Sequence, residues 1–104
     1  MKVSVSALLG KLIRFLDHYN YSDRASWLQD KQDELQSANT DGERNVTLNQ
    51  IKNNIAGMGS LSDIYIILPK NSSLSELDVN RTFYDLVMEL DEAVREELSK
   101  LQSI

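Results

Sequence analysis

Few residues in this chain are of a type that does chemistry unaided. His18 is the only histidine and cysteine is absent, which removes disulfides, thiolate nucleophiles and most zinc sites together. A nucleophile relay would need Ser60 or Ser62 activated by His18, with Asp63 orienting the imidazole. Nothing in the spacing brings His18 to that turn, and a solvated or capping histidine at a helix end is the simpler reading. A carboxylate metal site needs oxygen ligands converging from several elements. Only the final segment is carboxylate-rich, with neither a D-x-D loop nor an E-x-x-H pair. The run Gly57-Met58-Gly59-Ser60 follows a helix, lacks a phosphate-binding lysine and opens no long helix, so it is not a P-loop. The expectation is a protein without catalytic residues, cofactor or metal.

What remains is charge. The chain has 104 residues and a formal net charge of -5. Residues 76–104 hold eight acids against Arg81, Arg95 and Lys100, and so carry all of it. Asp85, Glu89, Glu92 and Glu96, at spacings of four, three and four, fall within about 60° of one another on a helix and opposite its apolar face. Like charges so placed each cost a helix roughly 0.2–0.5 kcal/mol, which Asp91–Arg95 and Glu96–Lys100 pairs partly recover. Such a stripe is either an ordinary solvated face or a surface that docks on a basic cleft, steering association and occluding it without chemistry. Direct nucleic-acid binding is not expected, because phosphate recognition needs clustered Lys and Arg. Tyr19, Tyr21, Tyr65 and above all Trp27 are candidate anchors of an interface, with a core role as the alternative for Trp27.

These residues must be positioned by helices. The first runs from about Ser4 to His18, with Val5, Leu9, Leu12, Leu16 and Tyr19 on one face and Leu8, Ile13 and Phe15 widening it. Gly10 within it costs about 1 kcal/mol against alanine, a cost that close approach of another helix would justify. Ser22 is an expected N-cap for a second helix, Asp23 to Ala38, whose apolar edge of Tyr21, Ala25, Leu28 and Leu35 is thin. Asn39–Glu43 reads as a turn. Thr47-Leu48-Asn49-Gln50 reads as a capping box with Val46 and Ile51 as its staple. It opens a third helix to Ala56, with Gly57 as its left-handed stop. A fourth helix starts at Ser75-Glu76-Leu77-Asp78 and keeps Phe83, Leu86, Val87, Leu90, Ala93, Val94, Leu98 and Leu101 on one face. At 1.5 Å per residue it is about 40 Å long, against a diameter near 33 Å for a chain of this size, so it either bends or projects.

Between the third and fourth helices, Ile64-Tyr65-Ile66-Ile67-Leu68 is β-branched and aromatic and is closed by Pro69, the only proline. Three readings stay open. It is an extended connector burying alternate side chains, or further helix, or a strand completed by a second chain. The expected architecture is therefore all-α, a single domain over residues 1–104. It is a four-helix assembly with one short extended segment before a long C-terminal helix. No window of about 20 apolar residues suggests a membrane span, and no signal-peptide pattern is present, so a cytoplasmic protein is expected.

The segment Gly57-Met58-Gly59-Ser60-Leu61-Ser62-Asp63 is followed by Ile-Tyr-Ile, preceded by a helix containing Arg24-Ala25-Ser26-Trp27-Leu28-Gln29, and succeeded by the long helix. In this it resembles a family of small bacterial helical domains of unknown function. Their shared signature is similar to G-M-G-S-(aromatic or Leu)-(Asn or Ser)-D-(apolar). The likeness in layout runs from Leu8 to about Leu98, and Ser62 stands where Asn is commoner. What the resemblance implies is an immunity protein, a cytoplasmic inhibitor of a protein toxin. With the acidic stripe, the expected partner is a toxin with a basic surface, such as a nuclease. Self-association as a structural module is the alternative, and monomer and homodimer are both open.

Overall fold

The computed structural model describes residues 4–55 and 61–102. Four helices account for most of them: α1 (Val5–His18), α2 (Ser22–Ser37), α3 (Asp41–Asn53) and α4 (Glu76–Gln102), with a 3-10 turn at Leu61–Asp63. No strand occurs among the described residues, and the fold is all-α. The helices form a ring in chain order. α1 packs on α2 and α4, α3 packs on α2 and α4, and α2 and α4 occupy opposite corners. One apolar cluster fills the middle, drawn from all four helices.

α1 begins where Ser4 accepts the Ala7 amide at 3.2 Å. It buries Val5, Leu8, Leu9, Leu12 and Leu16, the face that four- and three-residue spacing defines. Its stop is a left-handed residue, Asn20, at φ 70°. The Tyr21 amide returns to the Leu16 carbonyl at 2.8 Å and the Asn20 amide to Asp17 at 3.2 Å, the two closing bonds of a Schellman motif. The turn leaves no free residue for a cap, so α2 starts at Ser22 itself with Tyr21 ahead of it and no side-chain cap bond. Ser22 as N-cap is thereby corrected. α2 buries only Ala25 and Leu28. Gln32 on the same edge donates to the Ser6 carbonyl at 2.8 Å and ties α2 to α1.

Gly10 is not a close-approach glycine. A Cβ built there meets only the ends of the Arg14 and Gln32 side chains, each at 3.5 Å, an ordinary contact. Gly10→Ala is therefore expected to raise stability by about 0.5–1 kcal/mol in denaturant unfolding, through helix propensity and a less flexible unfolded chain.

The start of α3 differs from the expected one. Thr40, not Thr47, is the N-cap and accepts the Glu43 amide at 3.1 Å. Glu43 reaches back to the Asn39 amide at 2.8 Å. Two T-x-x-E/Q boxes compete in this stretch. The upstream one wins because it places Asp41 and Glu43 at the positive end of the helix dipole and adds about two turns of helix. Asn39–Glu43 is thus the head of a helix and not a free turn. Thr47 lies buried inside α3, its hydroxyl donating to the Glu43 carbonyl at 3.4 Å. Val46 is exposed and staples nothing. α3 also ends earlier, at Asn53, and the proposed stop at Gly57 lies outside the described residues.

After α3 the chain returns on itself. The Leu61 amide donates to Asn54 at 2.9 Å and the Ser62 amide to Ile55 at 3.1 Å, while Leu61 is buried in the core. α4 then buries Val79, Phe83, Val87, Leu90, Val94 and Leu98. The molecule measures 53 × 28 × 23 Å with a radius of gyration of 14.5 Å, above the about 13 Å of a compact chain of this length. Its long dimension accommodates the last helix without folding it back.

Candidate partner-binding surface

The segment before α4 is extended, with no regular structure over residues 64–69. Its side chains alternate. Ile66 is 1% exposed, whereas Tyr65 and Ile67 are 53% and 79% exposed. This is the connector reading, and the helical one is corrected: β-branched residues ahead of a proline favour the extended backbone. With no neighbouring strand, its backbone groups need other partners, and the first turns of α4 supply them. Asn80 Oδ1 accepts the Ile66 amide at 2.6 Å, and Asn80 Nδ2 donates to the Ile66 carbonyl at 2.8 Å. One primary amide thus makes the paired bonds that a strand residue would make. One helical turn earlier, Glu76 Oε1 accepts the Leu68 amide at 2.8 Å. From the other side Tyr21 donates its hydroxyl to the Tyr65 carbonyl at 3.1 Å.

These contacts fix Tyr65. Its phenol donates to Glu76 Oε2 at 3.3 Å. Desolvation, followed by the Glu76 charge and its hydrogen bond, pushes the phenol pKa above its ordinary value of 10.0. The ring helps to line a notch of about 280 Å³ between the segment and α4. Leu77, Arg81 and Tyr84 form the outer wall, and the buried Phe83 and Val87 also line it. Leu77 and Tyr84 are more than half exposed. Neither stood out in the sequence, because both fall off the main apolar face. Their seven-residue spacing, a second apolar line on the same helix, is the signal that could have found them.

The acidic residues occupy the outer side of α4. Asp85, Glu89 and Glu92 are exposed and Glu96 is half-buried. Asp91 stands apart from them, with both oxygens held by Arg95 Nε at 3.0 and 3.1 Å. Arg81, between the notch and Asp85 on the helical wheel, is also exposed.

The other sequence candidates lie elsewhere. Trp27 is half-buried on α2 and packs against the core, with Lys31 Nζ 5.3 Å from the ring centroid. Since α2 and α4 are at opposite corners, Trp27 and the acidic stripe do not form one surface. Tyr65, on the extended segment, bonds Glu76 in the first turn of α4, the helix that carries the stripe. Asp63 is exposed at the end of the 3-10 turn, and Gly57, Met58, Gly59 and Ser60 lie outside the described residues. His18 is exposed at the end of α1, edge-on to Tyr19 at 4.7 Å between ring centroids. Among the described residues no three acidic or histidine side chains converge as metal ligands do, and no helix is long and apolar enough to cross a membrane. The chain matches no family model, and no similarity to a curated protein or a solved structure is detected.

Proposed function

We propose that this chain is a non-catalytic binding protein, an immunity protein that neutralises a basic protein toxin such as a nuclease. It lays the outer face of α4 across the toxin's cationic cleft, without touching nucleic acid itself. The observation that carries the reading is the run of exposed carboxylates Asp85, Glu89 and Glu92 along one side of a helix rigidly backed by the core. A field of one sign on a preformed surface accelerates encounter with a basic partner and falls off with salt.

The test is association with any basic protein found to be encoded beside it, measured against ionic strength. Changing Asp85, Glu89, Glu92 and Glu96 together to serine is expected to slow association on the order of 10- to 1000-fold at low salt and to flatten the salt dependence. Tight binding that survives the quadruple change would remove the acidic-face mechanism. No binding at all would remove the immunity reading.

A second reading, self-association as a helical module, is favoured by one observation. Of the six large apolar side chains exposed among the described residues, five (Tyr65, Ile67, Leu74, Leu77 and Tyr84) fall within residues 65–84, Val46 being the exception. A monomer by light scattering at high concentration would exclude it.

A further inference from the structure

Resting on that proposal, we infer that the notch between Tyr65 and Tyr84 is the anchor point of the interface. It takes one aromatic side chain of the partner, in a segment whose neighbouring residues are basic and run along the acidic face of α4. Three features of the notch argue for a protein side chain over a free small molecule. Its volume of about 280 Å³ lies just below the roughly 300–1,000 Å³ of pockets that enclose small ligands. Its rim residues Tyr65, Leu77 and Tyr84 are more than half exposed, so an occupant is covered on one side only. Its lining includes two tyrosines and an arginine, residue types enriched in interface hot spots, over a buried apolar base.

The chemistry of the occupant follows from the surroundings. Phe83 and Val87 present apolar surface to a ring, and the Arg81 guanidinium at the edge stacks on an aromatic face. On a helix advancing 100° per residue, Arg81 points about 40–60° round from Leu77 and Tyr84, and Asp85 and Glu92 about 20–40° further in the same sense. The carboxylates therefore begin beside the notch and extend over about 10 Å from Asp85 to Glu92. An extended partner segment covers that distance in about three residues. A second copy of this chain fits the surface poorly. No two Lys or Arg residues stand closer than three apart in this chain, so a copy offers no run of basic residues to lie along the carboxylates.

The probe is a blocked peptide, Trp-Lys-Lys-Gly-Lys, titrated into the isotopically labelled protein, beside versions with Ser for Trp and with Gln for every Lys. The Trp peptide is expected to shift the amide signals of Tyr65, Leu77 and Tyr84 together with those of Asp85, Glu89 and Glu92. The Ser version should move only the acidic group, and Tyr84→Ala should weaken the Trp peptide at least tenfold while leaving binding of the Ser version unchanged. Tyr84 is exposed, so that variant should keep its fold, which urea unfolding checks. Shifts confined to the acidic residues with the Trp peptide would overturn the anchor and leave the proposed function standing. No shifts with any peptide would overturn both. Notch signals that move with protein concentration alone would assign the site to a second copy and overturn the inference.

Discussion

Replacing Asn80 by alanine is expected to destabilise the protein by about 2–4 kcal/mol in urea unfolding, one of the largest effects of any polar substitution in the chain. The cost comes from what is left behind. Asn80 holds both the amide and the carbonyl of Ile66 at 2.6 and 2.8 Å, and Ile66 is 1% exposed. Without the side chain both groups are stranded away from water, at about 1–3 kcal/mol each before relaxation. The third bond, to the Glu76 carbonyl at 2.9 Å, matters less, because that carbonyl also accepts within the helix. Asn80→Asp should not rescue the loss at neutral pH. One carboxylate oxygen can still accept the Ile66 amide, but the other then faces the Ile66 carbonyl with no proton between them. Hydrogen exchange at the Ile66 amide should accelerate in both variants. A cost below about 0.5 kcal/mol for Asn80→Ala would show that the segment is held by something other than this pairing.

Where sequence patterns sufficed and where they did not has a physical basis in these residues. α1 and α4 were legible because each hides a face set by 3.6-residue periodicity. Leu8, Leu9, Leu12 and Leu16 on one, and Phe83, Val87, Leu90, Val94 and Leu98 on the other, are all buried. The boundary of α3 was not, because two nearly equivalent caps stand seven residues apart, at Thr40 and Thr47. A local pattern cannot weigh the added helical turns that favour the first. β-branching made an extended Ile64–Leu68 one of three open readings, and the partners of its backbone were not legible at all. Asn80 and Glu76 are separated from the segment by 14 and 8 residues and look, in sequence, like ordinary polar residues of a helix start. The acidic stripe could be read off its spacing, since exposure follows from facing away from the core. The notch could not, because Tyr65 meets Leu77 and Tyr84 only once Asn80 has fixed the path of the connector.

Ile66 and Ile67 offer the sharpest test of that path, since identical side chains stand side by side with opposite exposures of 1% and 79%. Ile66→Ala is expected to cost about 2–4 kcal/mol, from lost burial and the cavity left beneath the segment. Ile67→Ala should stay within about 0.5 kcal/mol, as exposed substitutions do. The contrast arises because successive residues of an extended chain face opposite ways, so a slip of one position would exchange the two values. A helical segment would place the neighbours only 100° apart and blur the difference. Pairing with a second chain gives another pattern. Ile67→Ala would then become costly and the unfolding midpoint would rise with protein concentration. Equal costs for the two substitutions would remove the extended connector, and with it the geometry that forms the notch beside the acidic face.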